Sequence, residues 1–300
     1  MPDSRDNSMQ TPRCDRLSFV TRFAPSPSGP LHRGHAFSAL TAFEAARTAG
    51  GRFLLRIEDI DGDRCRPEFE AAALEDLEWL GLEWETPVRR QSDHLGDYRA
   101  ALERLRAQGL VYRCFRTRRE VLQEIGRAPH QAEPAPFRGA PLAADEEAAR
   151  LERGDSFAWR LSLDAARRTL GGAYQALDFF EEGAGPEGEA GLIHARPERA
   201  GDVILARKDL GVAYHLAVAV DDAAQDVTHV IRGQDLHEAA HIQRLIQTLL
   251  GLRAPVYRHH RLLLRPDGKR FAKRDTGETL RDIRASGVTA AALRRELGFS

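Results

Sequence analysis

His32 and His35 stand three residues apart with Gly34 between them, closing the run Arg22-Phe-Ala-Pro-Ser-Pro-Ser-Gly-Pro-Leu-His-Arg-Gly-His35. The spacing puts both imidazoles on one side of the chain, about one helical turn apart. Contact with a polyphosphate is the chemistry that suits them. Leu17 to Ala24 reads as a buried strand, Pro25 to Pro30 as a rigid turn, and Phe37 to Ala49 as a helix. A helix start offers unpaired N–H groups and a dipole that favours anions. Gly34 removes a side chain where a base or ribose would pack against the backbone. A surface pair or a metal pair is the alternative for two histidines at this spacing.

Other polar groups gather at the ends of apolar runs. Phe53 to Ile57 reads as a second buried strand that closes on Glu58, Asp59 and Asp61. Carboxylates at the C-terminal end of a strand lie where α/β sheets bind ligands. Glu58 suits an ammonium group, or is a solvated loop carboxylate. Val227 to Ile231 is a strand ending in Arg232-Gly-Gln-Asp235, and a helix is expected from Leu236 to Leu250. The stretch from His259 reads as a strand, a Pro-Asp-Gly turn and a cationic loop carrying Lys273. Lys273 suits charge neutralisation on phosphates; a charged hairpin tip is the alternative.

The elements that must position these groups follow from periodicity. Helical spacing of apolar residues marks Glu68 to Leu80 and Leu95 to Leu105, and Trp79 and Trp84 read as core or rim. From Cys114 to Arg199 the texture changes to proline, glycine, alanine and charge, with loops at Ala128 to Pro141 and Glu181 to Gly191. This reads as an insertion, with Phe157 to Leu163 among its few regular pieces. Arg113, Arg116, Arg118 and Arg119 suit a nucleic-acid backbone or a solvated helix face. Beyond it, Asp202 to Ala206 and Tyr214 to Asp222 read as buried strands of the main sheet.

The expected fold is therefore α/β, a doubly wound parallel sheet with an inserted small subdomain. Residues 1–16 form a loose extension, 17–112 the first half of the main domain, 113–200 the insertion and 201–258 the second half. Residues 259–300 hold the cationic loop and a short helical segment. The 300 residues are 42% hydrophobic and 30% charged, which excludes a disordered chain. No apolar run reaches the length of a membrane span, and Met1 to Arg16 lack the apolar stretch of a secretory signal. A cytoplasmic monomer without membrane partners is expected. Cys14, Cys65 and Cys114 are odd in number and far apart, which argues for free thiols. With a net charge of -1, any nucleic acid must be held by a local basic patch.

Taken together, Arg22-Phe-Ala-Pro-Ser-Pro-Ser-Gly with His32-Arg-Gly-His35, then Arg56-Ile-Glu-Asp59, then Arg270-Phe-Ala-Lys-Arg274, resemble the catalytic domain of class I glutamyl-type aminoacyl-tRNA synthetases. The resemblance runs from about Phe19 to the C-terminus. It implies a Rossmann-like catalytic domain with a doubly wound parallel sheet, activation of L-glutamate by ATP with Mg²⁺, then transfer of the glutamyl group to tRNA. It also implies that Arg22, Phe23, Ala24, Pro25, Ser26, Glu58, Tyr214 and Arg232 bind glutamate, while His32, Gly34, His35 and Lys273 bind ATP. His32, His35 and Lys273 would then stabilise the transferring phosphate.

Only twenty-seven residues follow Lys273, too few for an anticodon-binding domain. This narrows the expectation to the stand-alone branch that glutamylates queuosine in the anticodon loop of tRNA(Asp). A truncated conventional synthetase, a nucleotidylyltransferase and a non-catalytic RNA-binding paralogue are the alternatives. The family's inserted subdomain often holds zinc through three cysteines. Here the matching stretches read Cys114-Phe-Arg116 and Glu133-Pro-Ala-Pro-Phe137, so no zinc or other protein-held metal is expected. Ala272 replaces a small polar residue before the lysine.

Overall fold

Apolar strands alternating with amphipathic helices build the main body. A computed structural model describes residues 18–126, 136–208, 211–263 and 278–300. In chain order these hold β1 (Val20–Phe23), α1 (Arg33–Thr48), β2 (Arg52–Ile57), α2 (Pro67–Trp79), β3 (Arg89–Arg90), α3 (Leu95–Ala107), β4 (Val111–Cys114) and α4 (Arg118–Gly126). Next come α5 (Ala144–Glu152), β5 (Ala158–Leu161), α6 (Leu163–Leu170), α7 (Gly172–Gln175), β6 (Asp178–Glu181), β7 (Gly191–His194), β8 (Ile204–Arg207) and β9 (Gly211–Val212). The chain continues through α8 (Tyr214–Ala224), β10 (His229–Gly233), α9 (His237–Leu249), β11 (Val256–His260), α10 (Leu280–Ala285) and α11 (Ala290–Glu296). The N-terminal extension and Lys273 lie outside the described residues.

β1, β2 and β3 form one parallel group, and β10, β11 and β6 a second, edged by antiparallel β7. The groups meet where β1 lies beside β10. There is no ladder at this seam. The Thr228 amide donates to the Val20 carbonyl at 2.9 Å, and the Val20 amide donates to the Thr228 hydroxyl at 2.8 Å. The order across the seam is 3-2-1-10-11-6-7, so connections diverge on either side of it. A doubly wound sheet opens its crevice at such a reversal, beyond the strands' C-terminal ends. One apolar cluster packs α3, α8 and α9 against the sheet; another packs α1 and α2 with α10 and α11.

Sheet membership departs from the sequence expectation in three places. Tyr214 to Asp222, read as a strand, is α8. Alternating Leu216, Val218 and Val220 imitate a strand, but Ala217 and Ala219 are also buried, as in a helix enclosed on several faces. The strand expected at Asp202 to Ala206 is β8, which pairs with β5 and β9 in a separate antiparallel sheet, β4-β5-β8-β9. β6, inside the expected insertion, pairs with β11 in the main sheet. Among the described residues no helix is long and apolar enough to cross a membrane.

Asp202 ties the small sheet together. Its carboxylate accepts from the Tyr112 hydroxyl at 2.9 Å, the Gly139 amide at 2.9 Å and the Leu163 amide at 3.1 Å. Its carbonyl accepts from Arg160 Nη1 at 2.6 Å. Cys114 is a buried free thiol in an apolar cluster with Tyr112, Val121 and Phe137.

Candidate active site

His32 is not inside the helix but caps it. Its Nδ1 accepts from the Gly34 amide at 3.1 Å, and His35 Nδ1 accepts from the His32 amide at 3.2 Å, a reciprocal capping box. The rings are tilted by 30° to one another, with centroids 3.9 Å apart. Because each Nδ1 accepts from a backbone N–H, each neutral ring carries its proton on Nε2. The cap thus turns two histidines into two oriented donors at a helix N-terminus, an arrangement suited to phosphate oxygens.

Every described candidate from the sequence lines one cleft of about 530 Å³ at the seam: Arg22, Phe23, Ala24, Pro25, Ser26, His32, Gly34, His35, Glu58, Tyr214 and Arg232. Phe37, Ser38, Asp235, His260, Leu262 and Leu263 complete much of its wall. The turn after β1 is fixed to the end of β2 by the Glu58 amide, which donates to the Pro25 carbonyl at 3.0 Å. Residues 264–277 lie outside the described residues. The described segments that flank them meet the cleft, since Leu263 lines it and Thr279 pairs with His32.

Beneath the cleft lies a charge network that the motifs did not reveal. Arg22 Nε and Nη2 donate to Asp222 at 3.0 and 3.4 Å. Fully buried Arg56 donates to Asp222 at 2.7 Å and to Glu58 at 3.1 Å. Arg89, Gln91 and Tyr98 each donate to Asp221 at 2.8 Å. Arg22, Arg56 and Arg89 balance Glu58, Asp221 and Asp222, so the group is neutral as a unit. Burial alone would raise the Asp222 carboxyl, but Arg22 and Arg56 outweigh it and hold it below its ordinary value. At Glu58 burial wins, and the carboxyl is raised despite Arg56 and Arg22. Its side chain is 12% exposed, so a cleft ligand can reach it. Two adjacent acids at the end of an apolar run were the available signal, since buried carboxylates require cationic partners.

Arg232 forms the opposite wall. Its Nε donates to His259 at 3.0 Å and its Nη1 to Gln243 at 2.9 Å, with the Tyr214 hydroxyl at 3.5 Å. Arg22 and Arg232 can therefore face an anionic ligand while Glu58 faces an ammonium. The insertion's arginines divide. Arg113 packs 4.5 Å over Trp159 and pairs with Glu147, whereas Arg116 and Arg118 line a second cleft.

Among the described residues two groups bring potential metal ligands together, Glu181 with His237 and His259, and His237 with Glu238 and His241. Hydrogen bonding commits most of their lone pairs. His259 Nε2 accepts from Arg232, and His241 Nδ1 accepts from the Arg196 amide at 3.0 Å, which puts that ring's proton on Nε2. His237, shared by both sets, is the imidazole whose ring nitrogens have no hydrogen-bond partner among the described residues, and one open imidazole in each set falls short of the three protein ligands a cation site needs.

The divided parallel sheet, with a capped histidine pair beside its crevice, defines an α/β domain of the doubly wound class. The chain belongs to the family of class I tRNA synthetases (E and Q), catalytic domain, which it matches over residues 18–177 and 180–298. It is 49% identical over 93% of its length to the whole of a protein from Rhodobacter capsulatus named glutamyl-Q tRNA(Asp) synthetase. A protein of the same name from Symbiobacterium thermophilum is 40% identical, covering 89% of this chain and 82% of the relative. A glutamate–tRNA ligase from Prochlorococcus marinus is 38% identical over 91% of this chain, which spans 56% of that relative. The crystal structure of a glutamate tRNA ligase from Elizabethkingia meningosepticum, in complex with its amino acid, superposes with a TM-score of 0.68 at 27% identity. It covers 86% of this chain, which spans about half (52%) of that structure.

Proposed function

We propose that this chain is a ligase that activates L-glutamate with ATP and transfers the glutamyl group to queuosine in the anticodon loop of tRNA(Asp). The observation that carries the first step is the distribution of charge along one cleft. Arg22, Glu58, Tyr214 and Arg232 cluster at the seam, and the His32 and His35 pair stands at the N-terminus of α1. A guanidinium grips the side-chain carboxylate, and Glu58 holds the α-ammonium. The α-carboxylate then attacks the α-phosphorus in line. A carboxyl oxygen to phosphorus bond forms as the bond to the β-phosphate bridge breaks, and pyrophosphate leaves. No side chain becomes a nucleophile; the protein supplies position and charge. His32 and His35 donate hydrogen bonds to the transferring phosphate and Lys273 adds its positive charge, while Mg²⁺ arrives chelated by ATP. In the second step the acceptor group of queuosine attacks the adenylate carbonyl and AMP leaves.

The acceptor rests on the two similar proteins named glutamyl-Q tRNA(Asp) synthetase, one matched along its entire length. On this reading the enzyme works as a cytoplasmic monomer. Glutamate-dependent pyrophosphate exchange should proceed without tRNA, and labelled glutamate should reach tRNA(Asp) only when it contains queuosine. Periodate treatment and nuclease mapping then locate the label. Label on the 3′ end of unmodified tRNA(Glu) would replace this reading with a conventional synthetase.

A further inference from the structure

Three neighbouring strands carry a buried polar chain that ends on Arg232. Arg232 on β10 stands in register with His259 on β11, and β11 pairs in turn with β6, which ends at Glu181. Glu181 Oε1 accepts from the backbone amides of His259 and Gly183, both at 2.8 Å. Glu181 Oε2 lies 2.5 Å from His259 Nδ1, and His259 Nε2 lies 3.0 Å from Arg232 Nε. Both side chains of the Glu181–His259 pair are fully enclosed.

The donor and acceptor roles along this chain are forced. A guanidinium only donates, so His259 Nε2 must hold a lone pair. The neutral ring then carries its proton on Nδ1 and gives it to Glu181. Burial keeps the ring neutral by pushing His259 down to about 4, with Arg232 adding to the effect against the pull of Glu181. Glu181 stays ionised: burial favours its neutral form, but the His259 side chain and the two amides outweigh burial and lower it. The loop after β6 is shaped to permit this, since a Cβ on Gly183 would meet the His259 carbonyl oxygen at 2.3 Å and Glu181 Oε1 at 2.9 Å.

We propose that Glu181 and His259 are positioning residues that select one imidazole tautomer and thereby fix the Arg232 guanidinium for a ligand carboxylate. With Nε on His259 and Nη1 on Gln243 and Tyr214, the nitrogen left is Nη2, which is buried and has no hydrogen-bond partner among the described residues. That donor is what the side chain of a bound glutamate would complete. The argument rests on the proposed glutamate activation and adds two residues that do not line the cleft.

Glu181→Gln tests the tautomer directly. The amide oxygen takes over the two backbone donors, leaving the amide NH₂ facing Nδ1. Nδ1 must then accept, the ring proton moves to Nε2, and Nε2–H confronts the Arg232 Nε–H. The expected result is a KM for glutamate raised on the order of tenfold, with KM for ATP and kcat at saturating glutamate changed less than about threefold. Side-chain ¹⁵N spectra should show His259 protonated on Nδ1 in the wild type and on Nε2 in the variant. His259→Gln, which keeps an acceptor for Arg232, should retain more glutamate affinity than His259→Phe, and this comparison decides the matter should Glu181→Gln fail to fold. An unchanged KM for glutamate in a folded variant with the switched tautomer overturns the proposal. So does a parallel loss of both KM values, kcat and thermal stability. If the wild type exchanges pyrophosphate with no amino acid, the glutamate reading fails instead, and the ¹⁵N shifts of His259 and Arg232 Nε still decide the tautomer relay.

Discussion

Arg22 and Asp222 meet side on, Nε and Nη2 of the guanidinium against the two carboxylate oxygens at 3.0 and 3.4 Å. The pair joins β1 to α8 across 200 positions of sequence and leaves Nη1 of Arg22 outside both bonds. Asp222→Ala leaves Arg22 and Arg56 buried with a shared partner removed. Urea unfolding should show a loss of about 3–5 kcal/mol, the usual effect of breaking a buried ion pair from one side. Asp222→Asn should lose less stability yet still raise KM for glutamate, because a neutral amide keeps one acceptor for the guanidiniums but gives up the charge that holds Arg22.

The capping role of His32 can be separated from its chemical role. His32→Asn retains an acceptor for the Gly34 amide and should melt within a degree or two of the wild type, whereas His32→Ala should lose about 1 kcal/mol. Both lack the Nε2 donor. Pyrophosphate exchange should therefore fall in both, and equal exchange in His32→Asn and wild type would remove His32 from the phosphate site.

Asp202 is expected to control the small sheet. Asp202→Ala strands the Tyr112 hydroxyl and the Gly139 and Leu163 amides, each costing about 1–3 kcal/mol if left unsatisfied. Hydrogen exchange should accelerate through β4, β5 and β8 more than through β1 and β10. Uniform acceleration would mean that the two sheets unfold as one unit.

Acid should weaken the fold in a defined window. Burial pushes His215, His241 and His259 down to about 4, against about 6.5 in an unfolded chain. Between those values the unfolded state binds more protons, so their stability contribution is complete above about pH 6.5 and drains away as pH falls toward 4. Asp76 opposes them: burial raises it to about 6, so it takes up its proton first in the folded state and adds stability over the same descent. Thermal midpoints measured from pH 7.5 to 4.5 should fall, and His241→Gln should flatten the slope while Asp76→Asn steepens it.

What could be read from sequence was local. The turn before His32, the strand ending at Glu58 and the helix after Asp235 each declare themselves within a dozen residues, and the motif residues among them converge on one cleft. α8 was misread because Leu216, Val218 and Val220 alternate as a strand would, and only the burial of the intervening alanines tells the difference. The buried polar partners were not legible because they lie far apart in the chain: Glu181 meets His259 across 78 positions, and Tyr112 meets Asp202 across 90. The sheet membership of β6 and β8 is likewise a property of pairing, and short strands of four residues carry too little pattern to announce their neighbours.

The seam between β1 and β10 is pinned where the two strands begin, at Val20 and Thr228, and carries no ladder toward their far ends. The cleft lies beyond this tether, and two of its lining residues, Gly34 and Gly233, present only main chain to it. That part of the wall cannot be trimmed by substitution, so room for a bulkier amino acid would have to come from side chains such as Tyr214.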